Sequence, residues 1–117
     1  MKIPLNIRPD DTSPTGAQEE KIIERDVMAC KRNDWEAKAR LVQRFMPLFT
    51  SLAKKRASDT ATINRYIEAG KEGLLVAVRK YKPQTDGKFQ IFAPAYIEAQ
   101  MDSAAKPGFF ARLFGKT

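Results

Sequence analysis

The chain has 117 residues, a formal net charge of +7 and a hydrophobic content of 43%. A length of this order favours a single domain, and no apolar run approaches the roughly 18 residues of a membrane span. The chain has no histidine and a single cysteine, Cys30, which excludes an internal disulfide. Because the commonest general base and metal ligand is missing, the composition argues against an enzyme and predicts no metal site and no cofactor. The positive charge indicates a polyanion or an acidic protein surface as partner.

Residues 1–14 predict an extended N-terminal tail, since they contain three prolines and show little periodicity. Acids and prolines occupy the positions where a signal peptide needs an apolar stretch, so we expect a cytoplasmic protein. The helical domain is predicted to span residues 15–105. Thr15 and Gln18 form a capping box for its first helix, which is predicted to run to about Arg32.

The second helix is predicted between Asp34 and about Ala57. Asn33 tolerates the left-handed conformation that ends the first helix, and Asp34 is a favoured N-cap residue. Pro47 falls inside the second helix and predicts a kink, because proline removes one backbone hydrogen bond. Apolar side chains recur at intervals of three and four, which predicts an amphipathic helix whose buried face comprises Leu41, Phe45, Leu48, Phe49 and Leu52.

The third helix is predicted to run from an N-cap at Thr62 to Tyr81. It contains Gly70 and Gly73, and each glycine destabilises a helix by roughly 1 kcal/mol relative to alanine. Two glycines three residues apart share one helix face. We therefore expect a close contact at that face, either with another part of the domain or with a partner.

A turn is predicted from Lys82 to Gly87, followed by a fourth helix from about Gln90 to Ala104. Pro94 is expected in the first turn of that helix, where proline is tolerated. The resulting fold class is all-α, a compact bundle of about four helices. Residues 106–117 form a basic aromatic tail that is expected to dock on its own domain, with a partner or a membrane surface as alternatives; its apolar residues are Phe109, Phe110, Leu113 and Phe114.

Three blocks of the chain resemble region two of bacterial RNA polymerase sigma factors, in the sigma-seventy superfamily and nearest its flagellar-type branch. LVQRFMPLFTSLAKK is similar to the first helix of that region, including its internal proline. YIEAGKEGLLVAVRKYKP is similar to the family's most recognisable block, and KFQIFAPAYIEAQM is similar to its promoter-reading helix. The resemblance implies a region-two fold and a role in transcription initiation. We expect a lone region-two domain, because no helix-turn-helix domain fits in the remaining sequence.

The resemblance also implies two binding surfaces. One is the outward face of the third helix, which would contact the clamp helices of core RNA polymerase through Arg65, Glu68, Lys71 and Glu72. The other would hold the single-stranded downstream element of promoter DNA through Arg79, Lys80, Lys82, Lys88, Phe89, Phe92 and Tyr96. An aromatic side chain stacked on a base contributes roughly 1–3 kcal/mol, although core packing is the competing role for Phe89 and Phe92. A separate protein that supplies upstream promoter recognition, or an anti-sigma factor, is a further expected partner.

Several positions depart from the family pattern. Arg65 and Ala69 stand where the family's polymerase-binding block has acids. In the promoter-reading helix, Ala95 replaces an aromatic residue, Glu98 stands where arginine is usual, and Ala99 replaces a base-reading amide. An acid that faces phosphate opposes binding. An alternative therefore stays open, a sigma-like protein-interaction module that acts as a regulator, decoy or adaptor without promoter opening. A general basic nucleic-acid binder is the third hypothesis.

Overall fold

The computed structural model describes residues 16–105, and every regular element in that range is helical. The elements are α1 (Gly16–Lys31), α2 (Trp35–Arg56), α3 (Thr60–Lys80), α4 (Pro83–Asp86) and α5 (Phe89–Ala104). The predicted all-α bundle is confirmed, and α4 is one helical turn inside the segment predicted as a turn. The predicted capping box at Thr15 and both predicted tails lie outside the described residues.

The turn between α1 and α2 forms as its sequence predicts. Asn33 has a φ of 69°, in the left-handed region that ends a helix. The carboxylate of Asp34 accepts hydrogen bonds from the backbone N–H groups of Glu36 at 3.0 Å and Ala37 at 3.2 Å. These bonds satisfy amide groups that have no partner inside the helix.

The start of α3 differs from the prediction. The N-cap residue is Asp59 and not Thr62, and the helix begins at Thr60. The Asp59 carboxylate accepts hydrogen bonds from the backbone N–H of Thr62 at 2.9 Å and from its hydroxyl group at 2.8 Å. These bonds lower the pKa of Asp59, since they stabilise the charged form. Asp59 is the N-cap residue because its carboxylate can accept the hydrogen bond of the backbone N–H three residues later, in the first turn of the helix. Thr62 lies inside that turn and supplies this N–H.

The hydrophobic core joins all four long helices. α2 contributes the predicted stripe, of which Leu41, Phe45, Phe49 and Leu52 are buried and Leu48 is half-buried. The largest fully buried apolar side chains are Phe49, Phe89, Leu41, Leu74, Ile97, Met101 and Val27. Among residues 16–105, no helix has the length and apolar character to cross a membrane.

The two glycines of α3 permit its close approach to α5. A Cβ atom on Gly73 would lie 2.6 Å from the carbonyl oxygen of Tyr96 and 2.7 Å from the Cα of Ile97. A Cβ atom on Gly70 would lie 2.7 Å from the Cε of Met101. Both glycines are buried, so the close contact expected from the sequence is internal to the domain. This contact determines which side of α3 is buried and which side faces solvent.

Both internal prolines lie within continuous helices. Pro47 is exposed in α2, and Pro94 is the sixth residue of α5, one turn later than predicted. A proline at either position leaves one backbone carbonyl without its helical donor. Packing of α5 against α3 and of α2 against the core compensates for that loss. Helices in folded proteins owe most of their stability to such packing.

Candidate protein-binding and nucleic-acid-binding surfaces

The outward face of α3 brings together the residues predicted to bind polymerase. Because Gly70, Gly73 and Leu74 are buried on one side, the opposite side is left to solvent. We define the α3 outer face by residues at intervals of three and four along this side, together with Lys71, namely Arg65, Glu68, Lys71, Glu72, Leu75 and Arg79. Within it, Lys71 Nζ lies 2.9 Å from Glu68 Oε2, so these two side chains form an ion pair.

A groove adjoins the α3 outer face. It has a volume of about 660 Å³ and lies between the α1–α2 turn and the C-terminal half of α3. Its apolar lining includes Trp35, Leu75 and Val78. Trp35, the only tryptophan of the chain, is 73% exposed. We name this feature the Trp35 groove; a shallower depression of about 540 Å³ continues from it along Ala39, Val42 and Met46.

The Trp35 groove has a basic rim. Lys31, Lys38 and Arg79 line it, whereas Asp34 is its one acidic lining residue. Lys31 Nζ donates a hydrogen bond to the backbone carbonyl oxygen of Arg79 at 3.2 Å, which connects the end of α1 to the end of α3. The Asp34 carboxylate is already used in capping α2. An apolar segment that carries acidic side chains fits these surroundings.

Cys30 also lines the Trp35 groove. Burial raises the pKa of its thiol above the ordinary value, so the group is uncharged at neutral pH. A neutral, half-buried thiol acts here as a small apolar side chain.

Trp35 was missed by the sequence analysis, which followed only the core stripe of α2. A second apolar line was present, since Trp35, Ala39, Val42 and Met46 recur at intervals of four, three and four. This spacing places the four residues on one side of the helix. A stripe that is offset from the core stripe indicates a face available to a partner, and this signal was available before the fold was known.

The predicted DNA-binding residues divide into an exposed group and a buried one. Arg79, Lys80 and Lys82 are exposed around the end of α3. Lys88 is exposed too, but its Nζ lies 2.8 Å from Glu20 Oε2. We call these four positions, together with Phe92 and Tyr96, the basic edge.

The aromatic side chains of this region form a connected series. The rings of Phe92 and Tyr96, both half-buried, have centroids 5.0 Å apart, and the ring of Tyr81 lies 5.4 Å from that of Phe92. The Tyr81 hydroxyl donates a hydrogen bond to the carbonyl oxygen of Gly87, which holds the α4 segment beside the core. The rings of Phe92 and Tyr96 thus pack against each other, Phe92 also packs against Tyr81, and both rings keep part of their surface exposed.

Phe89, predicted to bind DNA, lies in the core of this structure and not on the basic edge. Phe89 is 1% exposed, and its ring makes edge-on contacts with Phe45 at 5.8 Å and Tyr81 at 5.1 Å. A base has no access to a ring enclosed on these sides. Core packing prevails because Phe89 opens α5 on the same helix face as Ala93 and Ile97, which are fully buried.

The outward side of α5 has a different character. We define the α5 outer face by its exposed residues Ile91, Ala95, Glu98, Ala99 and Asp102. Ile91 is 72% exposed. At the other end of this face, Arg56 Nη2 of α2 lies 2.8 Å from Asp102 Oδ1 and 3.7 Å from Glu98 Oε1. One guanidinium group therefore lies near two carboxylates at the C-terminal end of the α5 outer face. The small apolar residues Ala95 and Ala99 lie between Ile91 and Asp102 on that face.

Comparisons of the chain with protein-family models, with curated proteins and with solved structures found no match. The surfaces described above and the three sequence blocks are the observations that bear on function.

Proposed function

We propose that the chain is a sigma-factor-like protein that binds core RNA polymerase through the α3 outer face and the Trp35 groove. The observation that carries this proposal is the adjacency of the two features, because Leu75 and Arg79 belong to both. An exposed tryptophan beside a groove is the residue type that most often dominates the free energy of a protein interface. The resemblance of the sequence blocks supplies the identity of the partner.

The fold supports this surface by holding α3 rigidly. Gly73 brings α3 into backbone contact with α5, so the outward residues need little reordering when a partner binds. Arg65 replaces an acid of the family pattern, and the groove rim is basic as well. We therefore expect apolar contacts at Trp35 and Leu75 to contribute more to affinity than the acidic contacts typical of the family.

The first test is binding of the full chain to bacterial core RNA polymerase at physiological salt, with a housekeeping sigma factor as competitor. Competitive binding is expected. A double variant with Glu68→Lys and Lys71→Glu keeps the ion pair and the fold but exchanges the two charges. We expect this variant to bind at least about tenfold more weakly, since charge apposition with the partner is reversed. Absence of binding, or equal affinity of the double variant, would contradict the proposal.

A second function, capture of single-stranded promoter DNA, is favoured by the basic edge. Arg79, Lys80 and Lys82 are exposed and flank Tyr81 in the sequence, and the ring of Tyr81 contacts that of Phe92. Cations and aromatic rings are the combination that single strands bind. Each phosphate contact of a single strand changes the slope of log K against log salt by about −0.7. Three such contacts predict a slope of about −2, which titration of a labelled oligonucleotide at several salt concentrations measures.

The alternative of a regulator, decoy or adaptor without promoter opening is favoured by the α5 outer face. Ala95, Glu98 and Ala99 are exposed there, and Phe89 is buried. This alternative predicts polymerase binding with no preference for a downstream promoter element over a scrambled strand. A general nucleic-acid binder predicts salt-dependent binding to both strands and no competition with a sigma factor. An upstream-recognition protein and an anti-sigma factor stay predictions.

A further inference from the structure

The Trp35 groove and the depression that continues from it form one elongated surface. Trp35 and Lys38 line both features, so the two share a wall. Beyond that wall the depression follows Ala39, Val42 and Met46 along α2. From Trp35 to Met46 the helix advances about 16 Å, which equals about three turns. The surface is therefore long enough to receive a segment of about three helical turns laid along α2.

The charge of this elongated surface is concentrated at one end. Its cations, Lys31, Lys38 and Arg79, all line the groove at the Trp35 end. Beyond Lys38 the depression is lined by uncharged side chains alone. Asp34 is the one acid of the groove lining, and its carboxylate already accepts two hydrogen bonds from the backbone of α2. A complementary segment therefore carries acidic side chains near one end and apolar side chains along the rest.

The surroundings favour a helical form of the bound segment. Among residues 16–105 every regular element is a helix, so this part of the chain has no strand edge with which an extended segment pairs its backbone. An extended segment would leave backbone polar groups against apolar side chains, whereas a helix satisfies those groups internally. Ala39 is small and exposed in the middle of the surface, which lets a second helix approach α2.

We propose that the Trp35 groove and its extension along α2 bind an amphipathic helix of a partner protein, with acidic side chains near the end that meets Lys31 and Arg79. The apolar face of the bound helix covers Trp35, Val42 and Met46. This inference rests on the proposed function for the use of the Trp35 groove as a protein-binding surface, and it adds the chemistry of the bound segment.

A single strand of nucleic acid is the competing ligand, because an exposed tryptophan beside cations also suits a stacked base. The distribution of charge disfavours it. A strand carries a phosphate at every nucleotide and binds along a groove whose cations follow its backbone. The uncharged lining beyond Lys38 offers no such cations, so a strand would leave Val42 and Met46 uncovered.

The test uses the fluorescence of Trp35, which reports on the groove alone because the chain has no other tryptophan. The probe is a designed peptide of about twelve residues, held helical by one side-chain cross-link on its polar face. It has leucines at intervals of three and four, no aromatic residue and blocked termini. Glutamates occupy both terminal turns, so either direction of the peptide brings acids to Lys31 and Arg79. The control peptide has lysines in place of the glutamates.

We expect the acidic peptide to move the emission of Trp35 to shorter wavelength in a saturable titration, because the indole loses contact with water. The lysine peptide is expected to bind at least about tenfold more weakly, since it meets cations at the groove. Raising the salt concentration from about 0.1 M to about 0.5 M is expected to weaken the acidic peptide severalfold.

A matched pair of variants locates the binding site. Lys38→Glu reverses the charge of the residue that lines both features, and it is expected to weaken the acidic peptide about tenfold and to strengthen the lysine peptide. A loss of folding would weaken both peptides, so the opposite changes identify an electrostatic contact. Lys21→Glu makes the same change at an exposed position of α1 outside the lining of the groove and is expected to leave both affinities within about twofold.

Four results would overturn the inference. They are no emission change with the acidic peptide, equal affinities of the two peptides, equal effects of Lys38→Glu and Lys21→Glu, and displacement of the peptide by a single-stranded oligonucleotide. An emission shift that grows with the concentration of the chain alone would show instead that a second copy covers Trp35.

The peptide titration contains no polymerase, so its failure is distinguishable from failure of the proposed function. Polymerase binding without peptide binding would contradict only the helical, acidic chemistry of the bound segment. Peptide binding without polymerase binding would contradict only the identity of the partner.

Discussion

The Trp35 groove and the α5 outer face are alike in apolar exposure and opposite in charge. Trp35 is 73% exposed and Ile91 is 72% exposed, and they are the large apolar residues left open among residues 16–105. Around Trp35 the neighbours are Lys31, Lys38 and Arg79, whereas beside the α5 line they are Glu98 and Asp102. The difference teaches that two equally exposed apolar side chains of one domain can stand in opposite electrostatic surroundings, which would favour partners of opposite charge.

Trp35→Ala is expected to have the largest effect that distinguishes the Trp35 groove from the α5 outer face. We expect about thirtyfold weaker polymerase binding, or ~2 kcal/mol, because the variant removes an exposed aromatic anchor. The midpoint of thermal unfolding is expected to stay within about 2 °C, since so little of the side chain is buried. Ile91→Ser is the matched control on the α5 outer face and is expected to leave the polymerase affinity unchanged. An equal loss of affinity for both variants would show that the two surfaces are not distinct.

Gly73→Ala tests the α3–α5 contact on which both surfaces depend. The added Cβ meets backbone atoms of Tyr96 and Ile97, which cannot move aside separately. We expect a net loss of about 1.5 kcal/mol in the free energy of unfolding, the balance of an overpacking penalty and the better helix propensity of alanine. Gly70→Ala is expected to lose less, because its added Cβ meets side-chain atoms, the Cε of Met101 at 2.7 Å and the Cδ1 of Phe49 at 2.9 Å, and no backbone atom. Chemical denaturation measures both values, and a Gly73→Ala chain as stable as the original would contradict the described contact.

Asp34 is both the N-cap residue of α2 and the acidic residue that lines the Trp35 groove. Substitution of Asp34 therefore tests whether its capping or its charge stabilises the domain. Asp34→Ala is expected to lower the free energy of unfolding by about 1 kcal/mol through loss of the cap. Asp34→Asn preserves a capping oxygen and removes the charge, so its stability is expected to stay near that of the original chain. Denaturant titration of the two variants decides the point; similar losses for both would mean that charge and not capping is the stabilising contribution.

Cys30 provides the smallest and most local probe of the Trp35 groove. Because burial raises the pKa of the thiol, the thiolate fraction at pH 7.5 is lower than that of a free cysteine. We expect alkylation slower than for a free thiol, with a rate that rises as the pH increases through the raised pKa. Bound polymerase is expected to slow the reaction further. Ser51→Cys in a Cys30→Ser background is exposed on α2 and serves as the control, and equal protection at both positions would argue against occupation of the groove.

The local features of the chain were predictable where one residue type has one strong preference. Asn33 and Asp34 form the turn that their backbone and capping preferences indicate. The cap of α3 was misplaced because Asp59 and Thr62 both suit an N-cap position, and the prediction chose threonine although aspartate is the stronger N-cap residue. The two are in fact bonded to each other.

The candidate surfaces were predictable only in part. The α3 outer face follows from helical periodicity once the buried side is known. The buried side was ambiguous because Gly70 and Gly73 permit a close contact with either a neighbouring helix or a partner. Phe89 presents the same difficulty, since an aromatic residue next to a lysine suits both a base-stacking site and a core.

The sequence by itself determined the helices, most of their ends and the core stripe of α2, because these depend on interactions between residues a few positions apart. Only the tertiary structure decided that the glycines of α3 face α5, that Phe89 is enclosed, and that Leu75 and Trp35 share a groove. It also decided that Arg56 joins Glu98 and Asp102, residues more than forty positions away in the sequence. Such contacts depend on which helix faces meet, and periodicity fixes the faces without fixing their neighbours.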